Sequence, residues 1–179
     1  MKIALLSDIH ANRQAFDTCL QHARAQGAEQ FALPGDFVGY GGEPVAVVEQ
    51  VMALAKEGAL LVLGNHDAMA LAPPASPRNR SELGAQWTYD QLGRSHLAFL
   101  KSLPLTARMG HSALLVHASV DAPEQWRYVE DSDAAERSMT AAQAIDPAIR
   151  YVFCGHVHAQ ALYFLTPTAK LMRFAPEPG

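Results

Sequence analysis

The sequence predicts an α/β fold built on parallel strands. Two observations predict it: short apolar runs alternate with segments of helical periodicity, and the loops joining them are short. A third gives the prediction a purpose, because polar, chemistry-bearing residues follow directly on several of the apolar runs. The chain has 179 residues. That length suits one domain spanning 1–179, large enough to bury a core without disulfide staples.

Lys2 to Ser7 is a short apolar run that ends in Asp8 and reads as a buried strand. Asn12 is a good helix cap, and Phe16, Cys19, Leu20 and Ala23 follow at helical spacing until Gly27. Gln30 to Leu33 is the second strand, broken by Pro34-Gly35-Asp36. Val45, Val48, Met52 and Ala55 mark a second helix, ended by Gly58. Ala59 to Leu63 is a third strand, running into Gly64-Asn65-His66-Asp67.

Ala72 to Arg80 is a loop rich in proline and turn formers. Ser81 to Leu100 is helical, with Gly93 as a dividing point. Leu105–Arg108 and Ser112–His117 form a hairpin around Met109-Gly110-His111. Ala134 to Ile145 is a helix, Arg150 to Cys154 a strand, and Ala161–Leu165 and Leu171–Phe174 two last strands. The end, Pro176 to Gly179, is expected to lack structure.

Composition excludes several classes. Hydrophobic residues are 49% and charged residues 18%, which excludes overall disorder. No apolar run approaches the roughly 18 residues of a membrane span, and the apolar start before Asp8 is too short for a signal peptide. The net charge of −4 disfavours a generic nucleic-acid binder. Two cysteines, Cys19 and Cys154, make no disulfide framework and point to a reducing cytoplasm.

The chemistry lies in five clusters after predicted strands: Asp8-Ile9-His10, Gly35-Asp36, Gly64-Asn65-His66-Asp67, His117 and Gly155-His156-Val157-His158. Ligands of open α/β sheets bind outside the carboxyl ends of strands, so these clusters converge. Nitrogen and oxygen donors without a thiolate suit divalent ions such as Mn, Fe, Zn or Ni. Seven donors exceed the needs of one tetrahedral ion and fit two ions sharing a carboxylate, about 3.5–4 Å apart. A glycine before Asp36, Asn65 and His156 lets the backbone turn tightly beside a donor.

Together these blocks resemble the calcineurin-like metallophosphoesterases, whose pattern is DxH, GD, GNH with an acid, H, and GHxH. All five occur here in that order, from Asp8 to His158. The resemblance implies a four-layer sandwich of two facing mixed sheets with helices outside. It implies that Asp8, His10, Asp36 and His158 hold one ion, and that Asp36, Asn65, His117 and His156 hold the other, with Asp36 as the bridge. It implies a phosphoesterase using a dinuclear-metal-activated hydroxide on a small phosphate ester. His66 lies outside the implied ligand set and is the candidate acid for the leaving oxygen, with Asp67 fixing its tautomer.

Two departures refine the reading. The protein phosphatases of this superfamily carry Asp-Arg-Gly after the GD block. Phe37-Val38-Gly39-Tyr40-Gly41 stands here instead, which favours diesters over phosphoproteins. Relatives also carry an Asn-Pro-Gly-Ser-like segment and further strands after GHxH. None follows His158, so either that arm is divergent or the chain is truncated, and truncation would leave a sheet edge exposed. Alternatives are hydrolysis of dinucleoside polyphosphates or nucleotides, with Trp126 and Tyr128 as the base-binding wall, and a non-catalytic metal-binding scaffold. Trp87, Tyr89 and Cys154 read as packing residues. Arg78, Arg80 and Arg127 read as solvated loop charges.

Overall fold

The structure, a computed structural model, describes residues 1–176. The first half alternates strand and helix: β1 (Ile3–Leu5), α1 (Arg13–Ala25), β2 (Gln30–Leu33), α2 (Pro44–Lys56) and β3 (Leu60–Leu61). These strands pair in parallel in the order β1-β2-β3, with Ala4 opposite Phe31 and Ala32 opposite Leu60. Parallel pairing follows from the crossover helices, because each strand must return to the same end of the sheet.

The local signals work as the sequence implies. Asn12 caps α1 by accepting the Ala15 N–H at 3.1 Å. Gly27 and Gly58 stop the two helices at φ +78° and +92°, where other residues are strained. The predicted long helix is split at Gly93, which caps the second of two pieces. Three helices follow β3: α3 (Asn65–Leu71), α4 (Arg80–Gln91) and α5 (Arg94–Ser102).

The second half starts with the expected hairpin, β4 (Thr106–Met109) against β5 (Ala113–Val116). After α6 (Ser132–Ile145), β6 (Tyr151–Phe153) joins β5 in parallel, so the second sheet runs β4-β5-β6. The last strands, β7 (Leu162–Leu165) and β8 (Leu171–Phe174), form a separate antiparallel pair.

Three apolar clusters define the layers. Phe16 and Leu20 of α1, Val47, Val48, Val51 and Leu54 of α2, and Leu100 of α5 pack on one face of the first sheet. Ala32, Val62 and Leu115, joined by Leu60, Ala107 and Phe153, lie between the sheets. Leu114, Val116, Ala142 and Ile149 seal the second sheet against α6. Each fully buried aliphatic or aromatic side chain contributes about 1.5–3 kcal/mol of transfer free energy. The implied four layers are therefore present. One detail differs: only the second sheet is mixed, because the antiparallel β4 is hairpin-connected while the first sheet has only crossovers.

Two packing expectations need correction. Cys154 is exposed, because it lies just past β6 where the chain leaves the sheet. Trp87 and Tyr89 stand partly exposed on α4, whose inward positions are taken by the smaller Ala85 and Thr88. The pair β7-β8 carries exposed apolar side chains, among them Leu162, Leu165 and Phe174. Of the expected unstructured end, residues 177–179 lie outside the described residues.

Candidate metal centre

All five polar clusters fall where strands end: Asp8 and His10 after β1, Asp36 after β2, Asn65 after β3, His117 after β5, and His156 and His158 after β6. Facing sheets bring these ends together. Donor atoms of Asp8, His10 and His158 lie within 4.8 Å of one another, and so do those of Asp36, His117 and His156. Each group holds three of the four residues that the resemblance assigns to one ion. His66, Asp36 and His10 also satisfy the same limit.

Asp36 sits between the groups. Its Oδ1 accepts the His66 backbone N–H at 2.8 Å. Its Oδ2 is 3.8 Å from His10 Nε2 on one side and 3.3 Å from His117 Nε2 on the other. Asn65 Oδ1 lies 2.9 Å from the same His117 nitrogen. One carboxylate oxygen therefore faces both halves of the site.

Backbone carbonyls orient the imidazoles. His10 Nδ1 donates to Val38 O at 3.1 Å, His117 Nδ1 to Pro34 O at 2.6 Å, and His156 Nε2 to Trp126 O at 2.9 Å. Fixing one nitrogen as N–H turns the other into a lone pair aimed at the site. His10 Nε2 then faces His158 Nε2 at 3.0 Å, and His158 Nε2 lies 3.4 Å from Asp8 Oδ1. Lone pairs and carboxylates this close repel unless something positive lies among them. The donor set thus fits divalent cations in both groups.

The metal-free electrostatics agree. Burial holds the imidazoles of His10, His66 and His156 below the usual histidine range, against the pull of the Asp36 charge. Neutral imidazole is the ligating form. Burial also works against charge on His117, but its hydrogen bond to Asp36 and the Asp36 charge outweigh that and raise it. Burial likewise disfavours the Asp36 carboxylate, yet His117 and His66 hold it below the usual range.

Left-handed backbone recurs at the donors: Asp8 (φ 55°), His10 (50°), Asp36 (55°), His156 (71°) and His158 (56°). Each such residue costs on the order of 1–3 kcal/mol. Cross-loop bonds hold them there. His10 N–H donates to Asp36 O at 3.0 Å, Ala11 N–H to Phe37 O at 2.8 Å, and His156 N–H to the Asp8 carboxylate at 3.1 Å. Gly64 and Gly155 are needed for close approach, since a Cβ would strike the Asp36 carboxylate in one case and that of Asp8 in the other.

Asp67 does not play its expected part. Instead of fixing the His66 tautomer, its carboxylate is fully buried and spent on four backbone N–H groups. Oδ2 accepts from Asp36 and Gly64 at 2.9 and 3.0 Å, and Oδ1 from Phe37 and Val38 at 2.9 and 3.1 Å. The reason is position: as the third residue of α3, Asp67 points back over the helix N-terminus and across to the β2 loop. Burial and the nearby Asp36 charge push it up to about 7 in the metal-free chain, against two of those N–H bonds.

The aromatic residues sort clearly. Tyr128 stacks on His156 with ring centroids 4.1 Å apart, and Trp126 approaches His117 at 5.9 Å. Both therefore border the site. Arg127 pairs with Asp121 at 2.8 Å, as a loop charge would. Sequence reasoning missed Tyr40 as a site residue. Its ring lies 4.7 Å from that of His10 and 4.4 Å from that of His66. The signal was its place between Gly39 and Gly41, directly after the Asp36 block.

Comparison with known proteins identifies the family. Residues 1–160 match the family model described as calcineurin-like phosphoesterase. The uncharacterized protein MJ0912 of Methanocaldococcus jannaschii is 30% identical over 164 residues, which cover 87% of this chain and 62% of that protein. The chain thus spans less than two thirds of that relative's length. A metallophosphoesterase from Sphaerobacter thermophilus superposes with a TM-score of 0.78 at 30% identity, covering all of this chain and 70% of its own. The Pyrococcus horikoshii protein PH1004, 18% identical, shares the fold with a TM-score of 0.65, over 98% of this chain and 87% of its own. With the family pattern matched over residues 1–160 and its donors gathered in two groups around Asp36, this chain belongs to the calcineurin-like phosphoesterases, a divalent-metal-dependent family.

Proposed function

We propose that the protein hydrolyses small phosphate esters, diesters in preference to phosphoproteins, with two divalent transition-metal ions such as Mn, Fe, Zn or Ni. Asp8, His10, Asp36 and His158 hold one ion, and Asp36, Asn65, His117 and His156 the other. The observation that carries this is Asp36 Oδ2, which faces His10 on one side and His117 on the other. When bound, the ions lower the pKa of water and neutralise phosphate charge.

The chain's own groups do the rest. The carbonyls of Val38, Pro34 and Trp126 keep three imidazoles aimed inward. The Asn65 amide completes its group and offers an N–H to a phosphate oxygen. His66, buried beside His10 and Asp36, supplies the proton to the departing oxygen, and a neighbouring phosphate's negative charge raises its readiness to carry one. Asp67 positions the loop that presents Asp36. The run Phe37-Val38-Gly39-Tyr40-Gly41 has no arginine where phosphoprotein phosphatases carry Asp-Arg-Gly, which supports the diester preference.

Among the described residues no helix is long and apolar enough to cross a membrane. Two free, exposed cysteines support a reducing compartment, the cytoplasm. The test is hydrolysis of bis-p-nitrophenyl phosphate with added Mn2+, abolished by chelation and restored by metal. Absence of turnover with each of Mn, Fe, Co, Ni and Zn would refute the proposal. Two bound ions without turnover would favour the scaffold alternative.

A further inference from the structure

Tyr40 is an exposed residue held in a strained conformation. Its φ is 57°, and 70% of its surface is open to solvent. An exposed tyrosine gains little from burial that would offset left-handed backbone. The turn that holds it is built from the site: the Gly41 N–H donates to the carbonyl of His10 at 2.9 Å, and a Cβ on Gly39 would strike the His66 ring. The fold thus fixes a bare aromatic face beside His10 and His66.

That face borders a cleft of about 800 Å³ that runs from Asp8, His10 and His158 out to Asn12, Gln14 and Glu43. Among the described residues, no lysine or arginine lines it. The cleft has the donor groups at one end, and neutral amides and one carboxylate at the other. Such a wall does not attract a second phosphate. It suits an uncharged group with hydroxyls and a flat ring, and the volume is ample for a nucleoside.

We infer that Tyr40 is a specificity residue that stacks on the base of a nucleoside carried by the leaving group of the phosphate ester. This rests on the phosphoesterase reading above, because it is His66, the proposed acid, that places the leaving group on Tyr40's side. Stacking of aromatic rings contributes enough to change affinity about three- to tenfold.

The experiment compares adenosine 5′-monophosphate with ribose 5-phosphate, which differ only by the base, in calorimetric titrations of the Mn2+-loaded protein. The wild type should bind the nucleotide about three- to tenfold more tightly. Tyr40→Leu should abolish that preference, bringing the ratio of the two dissociation constants to about one. Tyr40→Phe should keep the preference and Tyr40→Trp should enlarge it, a gain that misfolding cannot mimic. Equal binding by the wild type, or a preference that survives Tyr40→Leu, overturns the stacking role alone. If neither phosphate binds the metal-loaded protein, the phosphoesterase reading fails and this inference with it.

Discussion

Asp67 and His66 are adjacent in the chain but do different work. Asp67 accepts four buried N–H groups from the loops that carry Asp36 and Gly64. Asp67→Asn replaces one acceptor oxygen with an NH2 and leaves two buried N–H groups without a partner. At about 1–3 kcal/mol for each, the variant should lose about 2–6 kcal/mol of stability in urea unfolding. A mere tautomer-fixing role would lower kcat and leave stability intact. His66→Ala should fold normally and lose activity unevenly. The loss should be larger for an alkyl ester than for a p-nitrophenyl ester, since only the poor leaving group needs a proton. Steady-state kinetics on the two esters checks this, and equal losses would remove the acid role.

At the scale of elements, the strand-to-loop junctions decide function because they are where strained backbone and close approach occur. Gly64, the cap of α3, packs against Asp36 so tightly that a Cβ would meet its backbone and carboxylate. Gly64→Ala should therefore weaken Mn2+ binding by at least tenfold in calorimetry. Gly84 lies inside α4 with nothing within 4 Å of an added Cβ. Gly84→Ala should instead stabilise the chain by about 0.5–1 kcal/mol, as helix propensity dictates, with metal affinity unchanged. The helices, their caps and the β4-β5 hairpin were legible from the sequence because their causes are local: Asn12, Gly27, Gly93 and the period of the apolar residues. The separate pairing of β7 with β8 and the exposure of Cys154 were less so, because each depends on which strands pair and what lies above them.

At the scale of the molecule, the metal-free protein holds a cluster of imidazoles that folding keeps neutral. His10, His66 and His156 titrate below the unfolded value of 6.5. Between pH 6.5 and 5 the unfolded chain therefore binds protons at these positions that the folded chain binds less readily. The share of stability carried by these three imidazoles therefore falls as pH drops through that window. Asp67, raised to about 7, and His117, raised by its bond to Asp36, act the other way, since their folded forms hold protons more readily than the unfolded chain does. Saturating Mn2+ should add about 2.7 kcal/mol at one hundred times its dissociation constant. For a chain of this size that corresponds to a rise of roughly 5–10 °C in Tm, reversed by EDTA.

The sequence by itself determined the order of the elements, the candidate donors and the family, because these are carried by local periodicity and by short blocks of residues. Only the tertiary structure decided how those donors meet. His10 faces His158 across 148 positions of chain, and Asp36 receives His117 from another sheet. It reassigned Asp67 to the backbone of the β2 loop and placed Tyr40 against His66. Such pairings are set by how the sheets pack and how the loops lean on one another, and contacts between distant segments leave no periodic trace in the residues that make them.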